Sequence, residues 1–196
     1  MTFKGFIFDL DGTLVDSKLD FEKLRKELGL PQNAPILEAV SGWSPEKQKW
    51  AHDVIDAHEL AGAEASEMYD GVNDFLAWLK DKKRPHAIFT RNSRRATNLT
   101  LNKHNLSFTH VITRDEAPAK PNPQGLLTLV KNFGLQNQET LYVGDYLYDL
   151  QAGLAAQIPT ALFFSQQPVD FDARGAHFTF THFSQLLEIL KPFEKV

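Results

Sequence analysis

Short apolar runs recur along the chain: Phe6-Ile7-Phe8, Ala87-Ile88-Phe89, His110-Val111-Ile112, Leu141-Tyr142-Val143 and Ala161-Leu162-Phe163-Phe164. Each is too short for a helix and too continuous for a strand with one wet face, so each predicts a strand buried on both sides. Between them, apolar positions fall at helical spacing: Val72-Phe75-Leu76-Leu79, Ala96-Leu99-Leu101, Leu126-Leu129-Val130-Phe133 closed by Gly134, and Leu147-Leu150-Leu154. From about residue 71 onward strand and helix alternate. Such alternation predicts right-handed βαβ crossovers and a largely parallel sheet with helices on both faces, an α/β fold. An edge strand near Phe178 and a terminal helix near Leu186 close the pattern.

One interval departs from it. Residues 17–69 show helical periodicity only. Ser17 with Asp20 predicts a capped helix through Leu24 and Leu28 to Gly29, and Ser44-Pro45 opens another through Trp50, Val54 and Ile55. The expected organisation is therefore a core of residues 1–16 and 70–196, interrupted by a helical cap at 17–69. The interval holds ten acidic and six basic side chains, which accounts for the whole net charge of −4. With Lys and Arg outnumbered by Asp and Glu, no broad basic surface exists to hold a nucleic-acid backbone. Cysteine is absent, which excludes disulfides, thiolate nucleophiles and thiolate metal sites, so any metal must sit on oxygen or imidazole. No apolar run approaches the roughly 20 residues of a membrane span, and Phe6-Ile7-Phe8 is cut off by Asp9 and Asp11 before it could serve as a leader core. No membrane partner is expected, and the cytoplasm is the expected compartment.

The chemistry lies at the ends of the apolar runs. The first ends in Asp9-Leu10-Asp11-Gly12-Thr13 and the fourth in Gly144-Asp145-Tyr146-Leu147-Tyr148-Asp149. Ligands of open parallel sheets bind outside the carboxyl ends of strands, so these acids face one crevice. Clustered carboxylates repel each other unless a cation lies among them, and Mg²⁺ accepts carboxylates together with substrate phosphate. Taken singly, each motif also reads as turn chemistry or as acids in a helix's first turn. The second run ends in Thr90-Arg91-Asn92-Ser93, a hydroxyl and backbone amides suited to an anion and equally to a helix cap. Lys120 lies in Ala119-Lys120-Pro121-Asn122-Pro123, where the prolines stiffen its loop. Acids, hydroxyl and lysine in that order suggest metal-assisted phosphoryl transfer.

Asp9-x-Asp11-Gly12-Thr13, Thr90-x-Asn92, Lys120-Pro121-x-Pro123 and Gly144-Asp145-x-x-x-Asp149 resemble the ordered motifs of the haloacid dehalogenase superfamily. The resemblance is to its phosphoglycolate-phosphatase-like branch, where a helical cap follows the first motif. It spans Phe3 to about Phe164. The resemblance implies a Rossmann-like sheet of order 3-2-1-4-5 with the first strand central. It implies that Asp9 is the nucleophile and Asp11 the acid and then the base. Asp9, the Asp11 carbonyl and Asp145 would hold Mg²⁺, with Asp149 acting directly or through a bound water. Thr90, Arg91, Asn92 and Lys120 would grip the phosphoryl group, with Lys120 also keeping Asp9 ionised. Asp11 argues against dehalogenase chemistry, which by this resemblance uses no second Asp and needs no metal.

The expected activity is hydrolysis of a small phosphorylated metabolite through an aspartyl phosphate, by a monomer or homodimer. Substrate choice is expected of the cap and entrance, with Trp43, at the Gly42 turn, and Arg91 as candidates. Trp50, Phe21 and Tyr69 are assigned to packing, and His52, Asp53, Asp56 and His58 to a solvated helix face. A sugar phosphomutase is the rival enzyme; it would need cap cations, and the Gly42 loop offers only Lys47 and Lys49. A phospho-receiver is the rival outside catalysis, although receivers carry no helical insert.

Overall fold

The computed structural model describes residues 2–165 and 171–193. The first apolar run forms β1 (Gly5–Phe8), every residue of it buried. Its side chains alternate between two cores. Phe6 and Phe8 enter one with Phe75, Leu141 and Val143, while Ile7 enters the other with Ala87, Phe89, Leu126 and Tyr142. A strand apolar on both faces belongs in the middle of a sheet. β1 pairs in parallel with β4 (His86–Phe89) on one side and β6 (Thr140–Gly144) on the other. Beyond these lie β5 (His110–Ile112), β7 (Thr160–Phe163) and β8 (Phe178–Phe180), giving the order β5-β4-β1-β6-β7-β8. Counting core strands alone, this is the expected 3-2-1-4-5 with a sixth strand added in parallel at the β7 edge.

Helices α4 (Val72–Asp81), α5 (Arg94–Lys103) and α8 (Phe183–Leu190) contribute buried residues to the first core. α6 (Gln124–Phe133) and α7 (Leu147–Ala156) cover the second. The last turn of α6 ends at Gly134, whose φ of 67° lies in the left-handed region that glycine enters without strain.

Three helices fill the interval after β1: α1 (Phe21–Leu28), α2 (Ile36–Ser41) and α3 (Pro45–Ala65). Asp20, not Ser17, caps α1, accepting the Lys23 N–H at 2.9 Å. Helix α2 was not anticipated, because six residues are too few for periodicity to register. The helices share an apolar cluster of Leu24, Leu28, Ile36, Val40, Ala51 and Ile55. Each Leu, Ile or Val of this cluster contributes about 1.5–3 kcal/mol on burial. A two-stranded antiparallel ribbon, β2 (Val15–Asp16) with β3 (Glu67–Met68), brackets the three helices where they leave and rejoin the core. It too was unforeseen, since two-residue strands leave no pattern.

Candidate active site

Parallel pairing aligns the carboxyl ends of β1, β4 and β6, so the residues that follow them converge. Asp9 continues directly from β1, its N–H donating to the Val143 carbonyl at 2.8 Å. Beside it lies Lys120, 2% exposed despite its charge. The ammonium sits 2.5 Å from Asp9 Oδ1 and 2.7 Å from Asp149 Oδ1. Burial works against the ammonium, but the Asp149 and Asp9 carboxylates outweigh it and hold its pKa above the usual lysine value. Asp149 is saturated with donors. Its Oδ1 also accepts the Tyr142 hydroxyl at 2.5 Å, and its Oδ2 accepts the backbone N–H groups of Asp145 and Tyr146 at 3.3 and 3.0 Å.

One oxygen each of Asp9, Asp145 and Asp149 lies within 4.8 Å of the others. Burial, then Asp149 and Asp9, push the Asp145 carboxyl well above the ordinary carboxylate range. Burial raises Asp9 as well, with Lys120 opposing and Asp149 adding to the rise. An acid set this crowded is what a hard divalent cation relieves, and the donors are all oxygens. Glycine makes the crowding possible: at Gly12, with φ of +82°, a Cβ would collide with the Asp145 carboxylate. The residues present therefore fit Mg²⁺. Asp149 fits least as a direct ligand, because Lys120, Tyr142 and two backbone amides already engage its oxygens.

Asp11 stands apart from this cluster. Asn92 Nδ2 donates to its Oδ2 at 2.7 Å, while the other oxygen is buried and has no hydrogen-bond partner among the described residues. Burial raises its pKa to about 6, against the Asn92 hydrogen bond, and the Glu59 charge adds to the rise. The Asn92 side chain, expected on phosphate, is thus turned to Asp11. Thr90, buried at the end of β4, and Lys120 line the same cavity as Asp9, Asp11 and Asp145. Ser93 closes this loop as the cap of α5, accepting the Ala96 N–H.

The cavity measures about 470 Å³ and runs from the acids toward α1 and α2. Trp43, expected at the entrance, does not line it. It stacks on Trp50 with ring centroids 6.4 Å apart and carries the Lys47 ammonium 3.7 Å over its face. Phe21, assigned to packing, is instead half-exposed and lines the cavity. Tyr69 does pack, edge-on against Phe163. Arg91 lines the cavity, but its fork is occupied: Glu38 of α2 pairs with it through both oxygens at 2.9–3.0 Å. It also donates to the Lys120 carbonyl and lies over the Tyr148 ring.

Residues that sequence reasoning did not single out complete the surroundings. Glu59 of α3 is 7% exposed, accepts the Ser93 N–H at 3.0 Å and pairs with Arg114. Arg114 also pairs with Asp56 at 2.5 Å and donates to the Arg91 carbonyl at 3.2 Å. Asp56 and His58, expected in solvent, are thus both engaged, His58 by Glu27 at 2.8 Å. A signal for Glu59 existed: helical spacing sets it on the face of Ile55, Gly62 and Ala63, all buried. A carboxylate on such a face requires a partner.

Fold and crevice together define an α/β enzyme whose acids meet at the end of a central strand. The sequence model of the haloacid dehalogenase-like hydrolases matches residues 6–163, and the chain belongs to that family. It is 31% identical over 157 residues to a haloacid dehalogenase-like hydrolase domain-containing protein of Arabidopsis thaliana, covering 74% of this chain and 64% of that one. It is 30% identical over 188 residues to phosphoglycolate phosphatase 1 of Pseudomonas aeruginosa, covering 79% and 67%. The chain thus spans about two thirds of the length of these relatives. The N-acetylmuramic acid 6-phosphate phosphatase of P. aeruginosa matches more fully, 97% and 96%, at 26% identity. A solved hydrolase from Pseudomonas syringae shares the fold at a TM-score of 0.81 and 20% identity, covering 98% of this chain and 100% of that one. Among the described residues no helix is long and apolar enough to cross a membrane.

Proposed function

We propose that this chain is a Mg²⁺-dependent phosphomonoesterase acting on a small phosphorylated metabolite through a phosphoaspartate, with residues 17–69 as its cap. The observation that carries this reading is Asp9 at the end of the central strand, ion-paired to a buried lysine and crowded by Asp145 and Asp149. The names of the phosphatase relatives support it.

Asp9 attacks phosphorus, and the bond to the leaving alkoxide oxygen breaks as the bond to Asp9 forms. Asp11, with a pKa near 6, is placed to be protonated for a useful fraction of the time near neutrality. It gives that proton to the leaving oxygen and then takes one from the water that attacks the phosphoaspartate, releasing phosphate and restoring Asp9. Asn92 holds the carboxyl of Asp11 in place throughout. Thr90 and the amides after it orient the phosphoryl oxygens, and Lys120 neutralises them and keeps Asp9 anionic. Asp9, the Asp11 carbonyl and Asp145 would hold Mg²⁺, with Asp149 acting through Lys120. The ion, when bound, would supply positive charge against that of the phosphoryl group.

The test is phosphate release from a panel of metabolite monoesters and an aryl phosphate, with Mg²⁺ and with chelator. Wild type should turn over in Mg²⁺ alone, and Asp9→Asn should lose all but about a thousandth of the rate, since a covalent nucleophile accounts for several kcal/mol of barrier. More than a tenth of the rate remaining in Asp9→Asn would exclude Asp9 as nucleophile.

A further inference from the structure

The cavity is larger than a phosphoryl group with a glycolate-sized alcohol requires, and at about 470 Å³ it lies within the range of sites that enclose whole small-molecule ligands. Its wall away from the acids is mostly apolar, built by Leu24, Pro35, Ile36, Leu37 and Ile55 with Phe21. Set into that wall is one guanidinium, Arg25 of α1. Its Nε donates to the Ala34 carbonyl at 3.0 Å, which fixes the plane of the group, and its Cζ lies 5.9 Å from the Phe21 ring centre. Among the described residues Arg25 makes no ion pair, and no hydrogen bond uses either of its terminal nitrogens. The other cations of the cavity differ. Arg91 gives its fork to Glu38, Lys120 is held between Asp9 and Asp149, and Lys18 pairs with Asp16 and Glu67.

We infer that Arg25 is a specificity-determining residue that receives an anionic group on the alcohol part of the substrate. The argument is one of geometry. An arginine oriented by its Nε and partly desolvated beside apolar side chains presents two parallel N–H groups, the arrangement that matches a carboxylate or a phosphate bidentately. The transferred phosphoryl group cannot be its partner, because that group belongs beside Asp9, Thr90 and Lys120. A second anion at the far end of the same molecule remains. The inference rests on the phosphomonoesterase reading and narrows its substrate class: a phosphate ester bulkier than phosphoglycolate that carries a second negative charge.

Initial rates in Mg²⁺ on four esters separate the possibilities: an aryl phosphate, a neutral polyol phosphate, a carboxylate-bearing sugar phosphate and a sugar bisphosphate. Wild type should favour at least one of the two doubly anionic esters over the polyol phosphate by about tenfold or more in kcat/KM, and which one identifies the anion. In Arg25→Gln that preference should fall about tenfold, chiefly through KM, and Arg25→Lys should stand between, because it keeps the charge and loses the fork. The ratio between esters is the readout, so a general loss from altered packing cancels. A wild type without preference for either doubly anionic ester, or a preference that survives in Arg25→Gln, overturns the assignment. Failure of every ester with wild type, the aryl phosphate included, overturns instead the phosphomonoesterase reading on which it stands.

Discussion

At the scale of single residues, the site turns on two aspartates two positions apart with different surroundings. Asp9 has a buried ammonium against it, whereas Asp11 accepts from the Asn92 amide and keeps one buried oxygen without a hydrogen-bond partner among the described residues. Burial raises both carboxyls in the metal-free fold, Asp9 to about 7 with Lys120 opposing, and Asp11 to about 6. For Asp11 this folded pKa of about 6 lies above the ordinary value of 3.8. Between those values the native state binds more protons than the unfolded one, so this group lowers stability as pH rises through them and lowers it fully above about 7. Asp11→Asn should accordingly match wild type near pH 3 and exceed it by ~3 kcal/mol near pH 8 in chelator. Urea melts at the two pH values measure the gap, and a gap independent of pH would mean the carboxyl is not strained by burial. The same substitution separates the half-reactions. An aryl phosphate needs no protonation of its leaving group, so Asp11→Asn should release about one equivalent of aryl alcohol in a burst and then turn over slowly. Quenched-flow traces in which phosphate appears as fast as the alcohol would remove Asp11 as the base.

Among the elements, the three helices after β1 are tied to the core unequally. α3 is fastened along its length: Glu59 and Asp56 to Arg114, Glu59 to the Ser93 amide, and the Ser66 carbonyl and hydroxyl to Lys103 and His104. α2 is held to the Thr90–Asn92 loop by the Glu38–Arg91 pair, which is partly exposed. The two attachments should respond differently. Arg114→Met strands Glu59 in the interior and should cost ~3 kcal/mol in urea unfolding, of which Glu59→Leu in the same chain should restore most. A single variant within half a kcal/mol of wild type would be incompatible with the anchor. Glu38→Gln breaks only the exposed pair, so amide exchange in α2 should quicken roughly two- to fivefold while α3 stays protected. Equal acceleration in α3, read by mass spectrometry, would mean that the helices open as one body.

For the whole molecule, the crowded acids at the sheet's carboxyl edge oppose folding, and a bound cation would relieve that opposition. Mg²⁺ at about a hundred times its Kd should add ~2.7 kcal/mol and raise Tm by roughly 5–10 °C, and chelator should reverse both. Asp145→Asn should abolish the shift; an unchanged shift would put the ion elsewhere. The parallel sheet and its flanking helices were legible from the sequence, because burial repeats the same choice over many positions and averages out local ambiguity; the central place of β1 came only from the family resemblance. The chain positions of Asp9, Asp11, Thr90 and Asp145 could be read for a related reason: strand ends follow from where apolar runs stop, whereas Lys120 was marked only by the prolines of its loop. The short α2 and the β2–β3 ribbon could not, since too few residues repeat in them. Nor could the sequence alone decide which polar groups meet. One residue along a helix turns a side chain by about 100°, and partners here lie dozens of positions apart. Only the tertiary structure set Asp149 on Lys120, turned Asn92 from phosphate to Asp11, buried Glu59 against Arg114, stacked Trp43 on Trp50 away from the cavity and placed Arg25 in the cavity's lining with no ion pair among the described residues.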